Sequence, residues 1–129
     1  MIVTTDIANI LYRDFKVLGI DIVPFGERLT GELDKERITI HVKKPTSEDY
    51  WVKRFAEVNI CVPDIRPNVA DTIRLNELER LANNKFQIVT DIQDGTRYKY
   101  EVETSIEADT ALKCHFVNCK VLFNVLNVR

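Results

Sequence analysis

The sequence predicts an α+β domain in which a mostly antiparallel β-sheet carries two α-helices on one face. Apolar residues recur with helical spacing over residues 6–18 and again over residues 67–86. Four other stretches alternate apolar and polar residues with the period of two that is typical of half-buried strands. No repeat, low-complexity tract or linker interrupts these elements, so we expect residues 1–129 to form a single domain.

Composition, net charge and cysteine count favour a soluble cytosolic protein over a membrane, secreted or nucleic-acid-binding protein. Apolar residues make up 45% of the chain and charged residues 29%, which is ordinary for a soluble globular protein. A net charge of −2 argues against a nucleic-acid binder that relies on general attraction to phosphate, and we expect no sequence-specific nucleic-acid partner. The chain has no long apolar run and no secretory signal, so no membrane association is expected. Three cysteines, an odd number, favour reduced thiols in the cytosol.

The first predicted helix covers Asp6 to Leu18. Thr5 or Asp6 is expected to cap its N-terminus, because a short side-chain oxygen can accept from the free amides of the first turn. Gly19 follows the helix, where a residue that tolerates positive φ can end it. One apolar stripe is predicted to face the core: Ile7, Ile10, Leu11, Phe15 and Leu18.

The next segments alternate between strand and loop. Residues 20–23 predict a short strand that Pro24 stops, and residues 24–36 predict a loop. Arg37–Val42 predicts a strand with its isoleucines and Val42 facing inward, and residues 43–49 form a charged loop.

A longer strand is predicted for Tyr50–Val62. Its inward face carries five apolar residues: Val52, Ala56, Val58, Ile60 and Val62. Its other face mixes Trp51, Phe55 and Cys61 with charged and polar residues. Such a mixed face is often half covered, either by a loop or by a neighbouring subunit.

The second predicted helix runs from Pro67 to Phe86, because a proline is tolerated in the first turn of a helix. Asn68 or Asp71 is expected to cap or charge its N-terminal end. The stripe that faces the core is Leu75, Leu78, Leu81, Ala82 and Phe86.

The rest of the chain predicts β-structure. Residues 87–93 read as a weak strand, and Asp94-Gly95 predicts a hairpin with a type I′ turn. Residues 96–106 predict the next strand, residues 107–111 a turn, and residues 113–128 a final strand. Two sets of residues are each expected to share one face of a strand: Tyr98, Tyr100, Val102 and Thr104 on one strand, and His115, Val117, Cys119, Val121, Phe123 and Val125 on the other.

We expect neither a metal site, nor a cofactor, nor catalysis. Cys114 and Cys119 differ in parity, so on one strand they point to opposite faces, and paired C-x₂-C spacings are absent. His41 and His115 both lie in predicted strands without a glycine-rich turn nearby. Should the protein be an enzyme, His115 with Cys114 or Cys119 would be the residues to test.

Two groups of charges stand out. Lys35, Arg37, Lys43 and Lys44 surround one predicted strand, and Lys53 and Arg54 begin the next. They predict either a solubilising edge that prevents strand addition or a patch that meets an acidic partner or passing DNA. Acidic residues surround the predicted hairpin, where a solvated edge is expected: Asp91, Asp94, Glu101, Glu103, Glu107 and Asp109.

This order of elements resembles that of the phage tail-terminator, or tail-completion, proteins. The match is carried by a first helix at Asp6–Leu18, a strand at Arg37–Val42, a second strand at Tyr50–Val62 that leads into the helix Pro67–Phe86, and closing strands over Tyr98–Leu126. A hairpin over Ile88–Tyr100 departs from the family pattern and leaves another neck or connector role open.

The resemblance implies a virion structural protein that assembles in the cytoplasm as a ring, commonly a hexamer, and contacts tail-tube and head-completion proteins. Candidate contacts between subunits are Trp51, Phe55, Lys43, Lys44, Lys53 and Arg54, and the loops 24–36 and 43–50 are candidates for contacts with other virion proteins. The alternative is a small cytosolic module that binds a protein or a small ligand on its sheet or between its helices.

Overall fold

The computed structural model describes residues 2–44 and 53–126, which form one five-stranded antiparallel sheet and two α-helices. The sheet order is β1-β2-β5-β4-β3. The elements are α1 (Thr4–Phe15), a 3₁₀ turn (Lys16–Leu18), β1 (Arg37–Val42), β2 (Lys53–Pro63), α2 (Thr72–Phe86), β3 (Ile88–Gln93), β4 (Thr96–Asp109) and β5 (Cys114–Val125). The predicted α+β class is confirmed.

Both helices pack on the same face of the sheet and enclose one large core. The rings of Phe15 in α1 and Phe86 in α2 stack with centroids 4.0 Å apart, which joins the two helices. On the sheet side, Phe123 is fully buried and stacks with Tyr98 and Tyr100 at centroid distances of 4.9 and 6.1 Å. Most of the sheet side of this core comes from the predicted inward face of β2 and from one of the two alternating faces of β4 and of β5.

Polar side chains fix α1 to the sheet at its C-terminal end. The Tyr100 hydroxyl donates to Asp14 at 2.8 Å, and Arg13 donates to the Tyr98 hydroxyl at 2.9 Å. The core therefore places two tyrosine rings in apolar surroundings and their hydroxyls at its margin, where both find partners. Burial and the carboxylate of Asp14 raise the pKa of Tyr100.

The start of α1 differs from the prediction. The N-cap residue is Val3, whose amide donates to the Asp6 carboxylate at 2.9 Å. Asp6 is thus the third residue of the helix and reaches back to the cap, while Thr5 lies within the first turn. Gly19 ends the 3₁₀ turn with φ of 73°, the left-handed conformation expected there.

The start of α2 also differs. Residues 65–69 form a tight turn in which the Ile65 amide donates to the Val69 carbonyl at 2.9 Å, and Asn68 has φ of 64°. The helix therefore begins at Thr72 instead of Pro67. Asp71 is the N-cap, as expected, because its carboxylate accepts from the Arg74 amide at 3.2 Å.

In the rest of the sheet, one predicted strand is replaced by a single bridge, the predicted hairpin turn is present, and the last two strands have different bounds. Residues 20–23 form a single parallel bridge from Ile22 to Ile38 instead of a strand. Asp94 and Gly95 have φ of 48° and 79°, as the predicted hairpin turn requires. β4 continues to Asp109, so the turn lies at residues 110–113 rather than 107–111, and β5 ends at Val125. Within the described ranges, neither helix is long and apolar enough to cross a membrane.

We predict that Phe123→Ala lowers the free energy of unfolding by about 3–5 kcal/mol, because it empties a site between two stacked tyrosines. Ile73→Ala, at a position that is 82% exposed on α2, is the control and should change stability by no more than about 0.5 kcal/mol. Urea unfolding followed by circular dichroism measures both. A loss below about 1 kcal/mol for Phe123→Ala would contradict this packing.

Candidate interaction surface

The sheet face opposite the helices, here called the outer face, is polar at its centre. Asn59 of β2 lies opposite Asn118 of β5, which lies opposite Ser105 of β4. The Asn118 side-chain amide donates to the Asn59 side-chain oxygen at 2.8 Å. Side chains that bond to one another within a sheet face need no covering layer, so this region is compatible with solvent or with a polar partner.

One end of the outer face is covered by the loop 24–36. Leu33 is buried against Cys61 and Cys114, and its amide donates to the Leu112 carbonyl at 2.9 Å. Leu29, Leu112 and Phe116 pack around this small second core. The loop that was expected to contact other virion proteins is therefore partly folded onto its own sheet.

The other end of the outer face carries apolar side chains that are partly exposed. Phe55 is 43% exposed and lies opposite the half-buried Leu122. The same row continues through Glu101 to Ile88, which is 62% exposed. We call Phe55, Leu122 and Ile88 the apolar row. Phe55 and Leu122 are direct neighbours, whereas Glu101 separates Leu122 from Ile88. Exposed apolar side chains on a sheet face are a recurring mark of protein contacts.

Charges of alternating sign border the apolar row. Glu57, Lys120 and Glu103 lie opposite one another on β2, β5 and β4. The Lys120 ammonium lies 5.4 Å from the centre of the Phe55 ring, and the Lys43 ammonium lies 3.3 Å from the Glu57 carboxylate. An apolar centre with a charged border is the usual composition of a protein interface.

The six predicted interface residues have different outcomes. Phe55 is exposed on the outer face, and Lys43, Lys44 and Lys53 are exposed near it. Trp51 lies outside the described residues. Whether any of these five residues contacts another subunit stays a prediction.

Arg54 is not a surface residue, so its assignment as an interface contact is wrong. It is 8% exposed, on the inward face of β2, and donates to the Thr4 hydroxyl at 2.9 Å and to the Lys43 carbonyl at 3.3 Å. It therefore fixes the first turn of α1 to the sheet. The sequence already indicated that Arg54 faces inward. Alternate residues of a strand share a face, and Arg54 alternates with the inward residues Ala56 and Val58.

The residues considered for catalysis do not form a catalytic group. Cys119 lies in the main core, whereas Cys114 lies in the second core under the loop 24–36, so the predicted opposite orientation is confirmed. His115 lies 2.7 Å from the Asp64 carboxylate, a contact that fixes the corner after β2. Burial raises the pKa of Cys119 to about 12, which disfavours the nucleophilic thiolate.

Cys61 and Cys114 interact with each other under the loop. A hydrogen bond to Cys114, together with burial, raises the pKa of the Cys61 thiol, and the same hydrogen bond lowers that of Cys114. Among residues 2–44 and 53–126, no group of three or more His, Cys, Asp or Glu side chains is placed to hold a metal ion.

A cleft of about 430 Å³ lies beside the outer edge of β1. Three cationic side chains line it, Lys16, Lys35 and Arg37, together with Tyr12 and residues 19–22. The Nε atom of Arg37 is buried and has no hydrogen-bond partner among the described residues. Sequence reasoning missed this cleft, because it depends on how residues 20–22 lie against β1.

Comparison with known proteins found no family model and no curated protein sequence that matches the chain. The function is therefore argued from the fold and from this surface.

We predict that none of the three thiols reacts rapidly with the thiol reagent DTNB in the native protein, because all three are buried. Cys114 should react first and Cys119 only on unfolding, since the pKa of Cys114 is lowered and that of Cys119 is raised. The absorbance of the released thionitrobenzoate follows the reaction, with Cys114→Ala to assign the first phase. A thiol that reacts in native protein as fast as in denaturant would contradict this and revive the catalytic alternative.

Proposed function

We propose that the protein is a phage or prophage virion structural protein, a tail terminator or a related head–tail neck component, that acts by assembling into a ring. The observation that carries the proposal is the one-sided sheet. Both helices pack on one face, while on the other face the apolar row is partly exposed beside a line of charges of alternating sign. Such a face is suited to contact with protein, and no constellation among the described residues suggests chemistry instead.

The order of elements supports the same function. A first helix, two antiparallel strands, a second helix and closing strands follow one another as in the tail-terminator pattern. The hairpin β3–β4 is the departure from that pattern, and it adds an edge to the sheet. A role as another neck or connector component would use the same mode of self-association.

Ring assembly requires two different patches on each subunit, because the contacts around a closed rotation are heterologous. The apolar row is one candidate patch. The lysines beside it, Lys43, Lys44 and Lys53, are exposed and would contribute to steering and to the choice of partner more than to affinity.

We predict that the protein self-associates at high concentration and that Phe55→Asp weakens this self-association by about tenfold or more, because a charge replaces the exposed aromatic centre of the apolar row. Ile73→Asp is the matched control, since Ile73 is more exposed but lies on α2, behind the sheet. Native mass spectrometry and light scattering measure the assembly. A native protein that stays monomeric at every concentration, or equal loss in both variants, would contradict the proposal.

A ligand-binding module is the second candidate, and the cleft beside β1 favours it, because three cationic side chains and one acid, Asp21, line it. This candidate predicts that inorganic phosphate at about 10 mM raises the melting temperature and that Arg37→Met removes the rise. Lys85→Met, on α2 away from this cleft, is the control. Equal thermal shifts in all three proteins would count as a general salt effect and would remove this candidate.

A further inference from the structure

The sheet carries opposite charge at its two edges. Residues 35–44, the basic edge, contain Lys35, Arg37, Lys43 and Lys44 against the single acid Glu36. Residues 101–109, the acidic edge, contain Glu101, Glu103, Glu107 and Asp109 and no Lys or Arg. The strand order β1-β2-β5-β4-β3 separates the two groups by the width of the sheet.

The acidic edge lacks a strand on one side. β3 pairs with β4 only as far as Glu101, so Val102–Asp109 pairs with β5 and, among the described residues, with no other strand. This overhang is exposed over most of its length, and Ile106 within it is 44% exposed. An extended, unpaired strand edge is a template for pairing with another chain.

Among the described residues, part of the basic edge lacks a strand partner on one side, and within that part Thr39 and Ile40 are buried whereas His41 is exposed. β1 pairs with β2 on one side, and on the other side Ile38 exchanges backbone hydrogen bonds with Asp21 and Val23, each at 2.8 Å. Thr39–Val42 has no strand partner on that side within residues 2–44 and 53–126.

The acid within the basic edge is already neutralised. Both oxygens of the Glu36 carboxylate accept from the Arg74 guanidinium of α2, at 2.6 and 2.9 Å. Lys35 pairs with Asp21 at 2.8 Å, but both side chains are more than half exposed, so this pair is weak. Lys43 also pairs with an acid, Glu57, at 3.3 Å. With Glu36 offset by Arg74, the four cations of the basic edge face two acids, Asp21 and Glu57, so the edge keeps a net positive charge.

The charges at the two edges determine which edges of two copies attract each other. Two basic edges repel one another, and so do two acidic edges, so both symmetric dimers through one edge are disfavoured. A basic edge against an acidic edge is attractive, and it joins two different patches head to tail, the contact that generates a ring when the rotation closes. Building on the ring assembly proposed above, we propose that each copy adds its basic edge, along β1, to the acidic overhang of β4 on the next copy.

Charge reversal at each edge tests the pairing. Lys35→Glu with Lys44→Glu takes the formal charge of residues 35–44 from +3 to −1, and Glu103→Lys with Glu107→Lys takes that of residues 101–109 from −4 to 0. All four side chains are exposed, and urea unfolding checks that each variant is folded. Each double variant alone should self-associate at least about tenfold more weakly than the native protein, because the attraction between the two edges is lost: −1 meets −4 in the first variant and +3 meets 0 in the second.

The decisive experiment mixes the two double variants. In an equimolar mixture of the two double variants, the unchanged basic edge of one protein can pair with the unchanged acidic edge of the other, which restores the native contact between unlike copies. Native mass spectrometry should therefore show mixed complexes with equal numbers of each variant. Arg80→Glu with Lys85→Glu, on the exposed side of α2, changes the net charge as much as the first double variant and should assemble as the native protein does.

Three results would overturn the edge pairing. They are native-like assembly of either double variant, a mixture no better assembled than its components, or equal loss in the α2 control. If the edge variants assemble normally while Phe55→Asp does not, the edge pairing fails and the proposed ring function stands. A native protein that never self-associates overturns both.

Discussion

The packing of both helices on one face of the sheet is the constraint on which the other features depend. The stacked rings of Phe15 and Phe86 hold α1 and α2 together over the inward faces of β2, β5 and β4. With both helices placed there, the outer face depends on the loop 24–36 for cover, and that loop covers one end through Leu33. The apolar row is left open as a result.

Buried and half-buried polar contacts hold this one-sided arrangement in place. Arg54 donates to the Thr4 hydroxyl at the start of α1, and the Tyr100 hydroxyl donates to Asp14 near its end. The bidentate pair of Arg74 and Glu36 fixes α2 beside the beginning of β1. Each contact connects a helix to the sheet or its margin, so the helices are fixed while the sheet edges stay available.

Much of the fold could be predicted from the sequence because its strands alternate clearly. β1 has the predicted bounds, and the Asp94-Gly95 turn is confirmed. Helix starts were less accurate, because the turn at Asn68 competes with the helix and because Asp6 caps from inside α1. Arg54 was wrongly assigned to the interface because its charge suggested a surface position, whereas its place in the alternation of β2 puts it on the inward face. Both groups of charges were visible in the sequence, but their placement at opposite edges follows from the strand order, which no local pattern specifies.

The most direct measurement of the head-to-tail account is amide hydrogen exchange in the monomeric and the assembled protein, read by mass spectrometry. The account predicts that assembly slows exchange at two separate segments, Thr39–Val42 of β1 and Val102–Asp109 of β4, since backbone pairing would protect amides at both edges. Hydrogen exchange in α2, which packs on the inward face of the sheet, should stay the same. Protection gained on the helices with both edges unchanged would contradict the account.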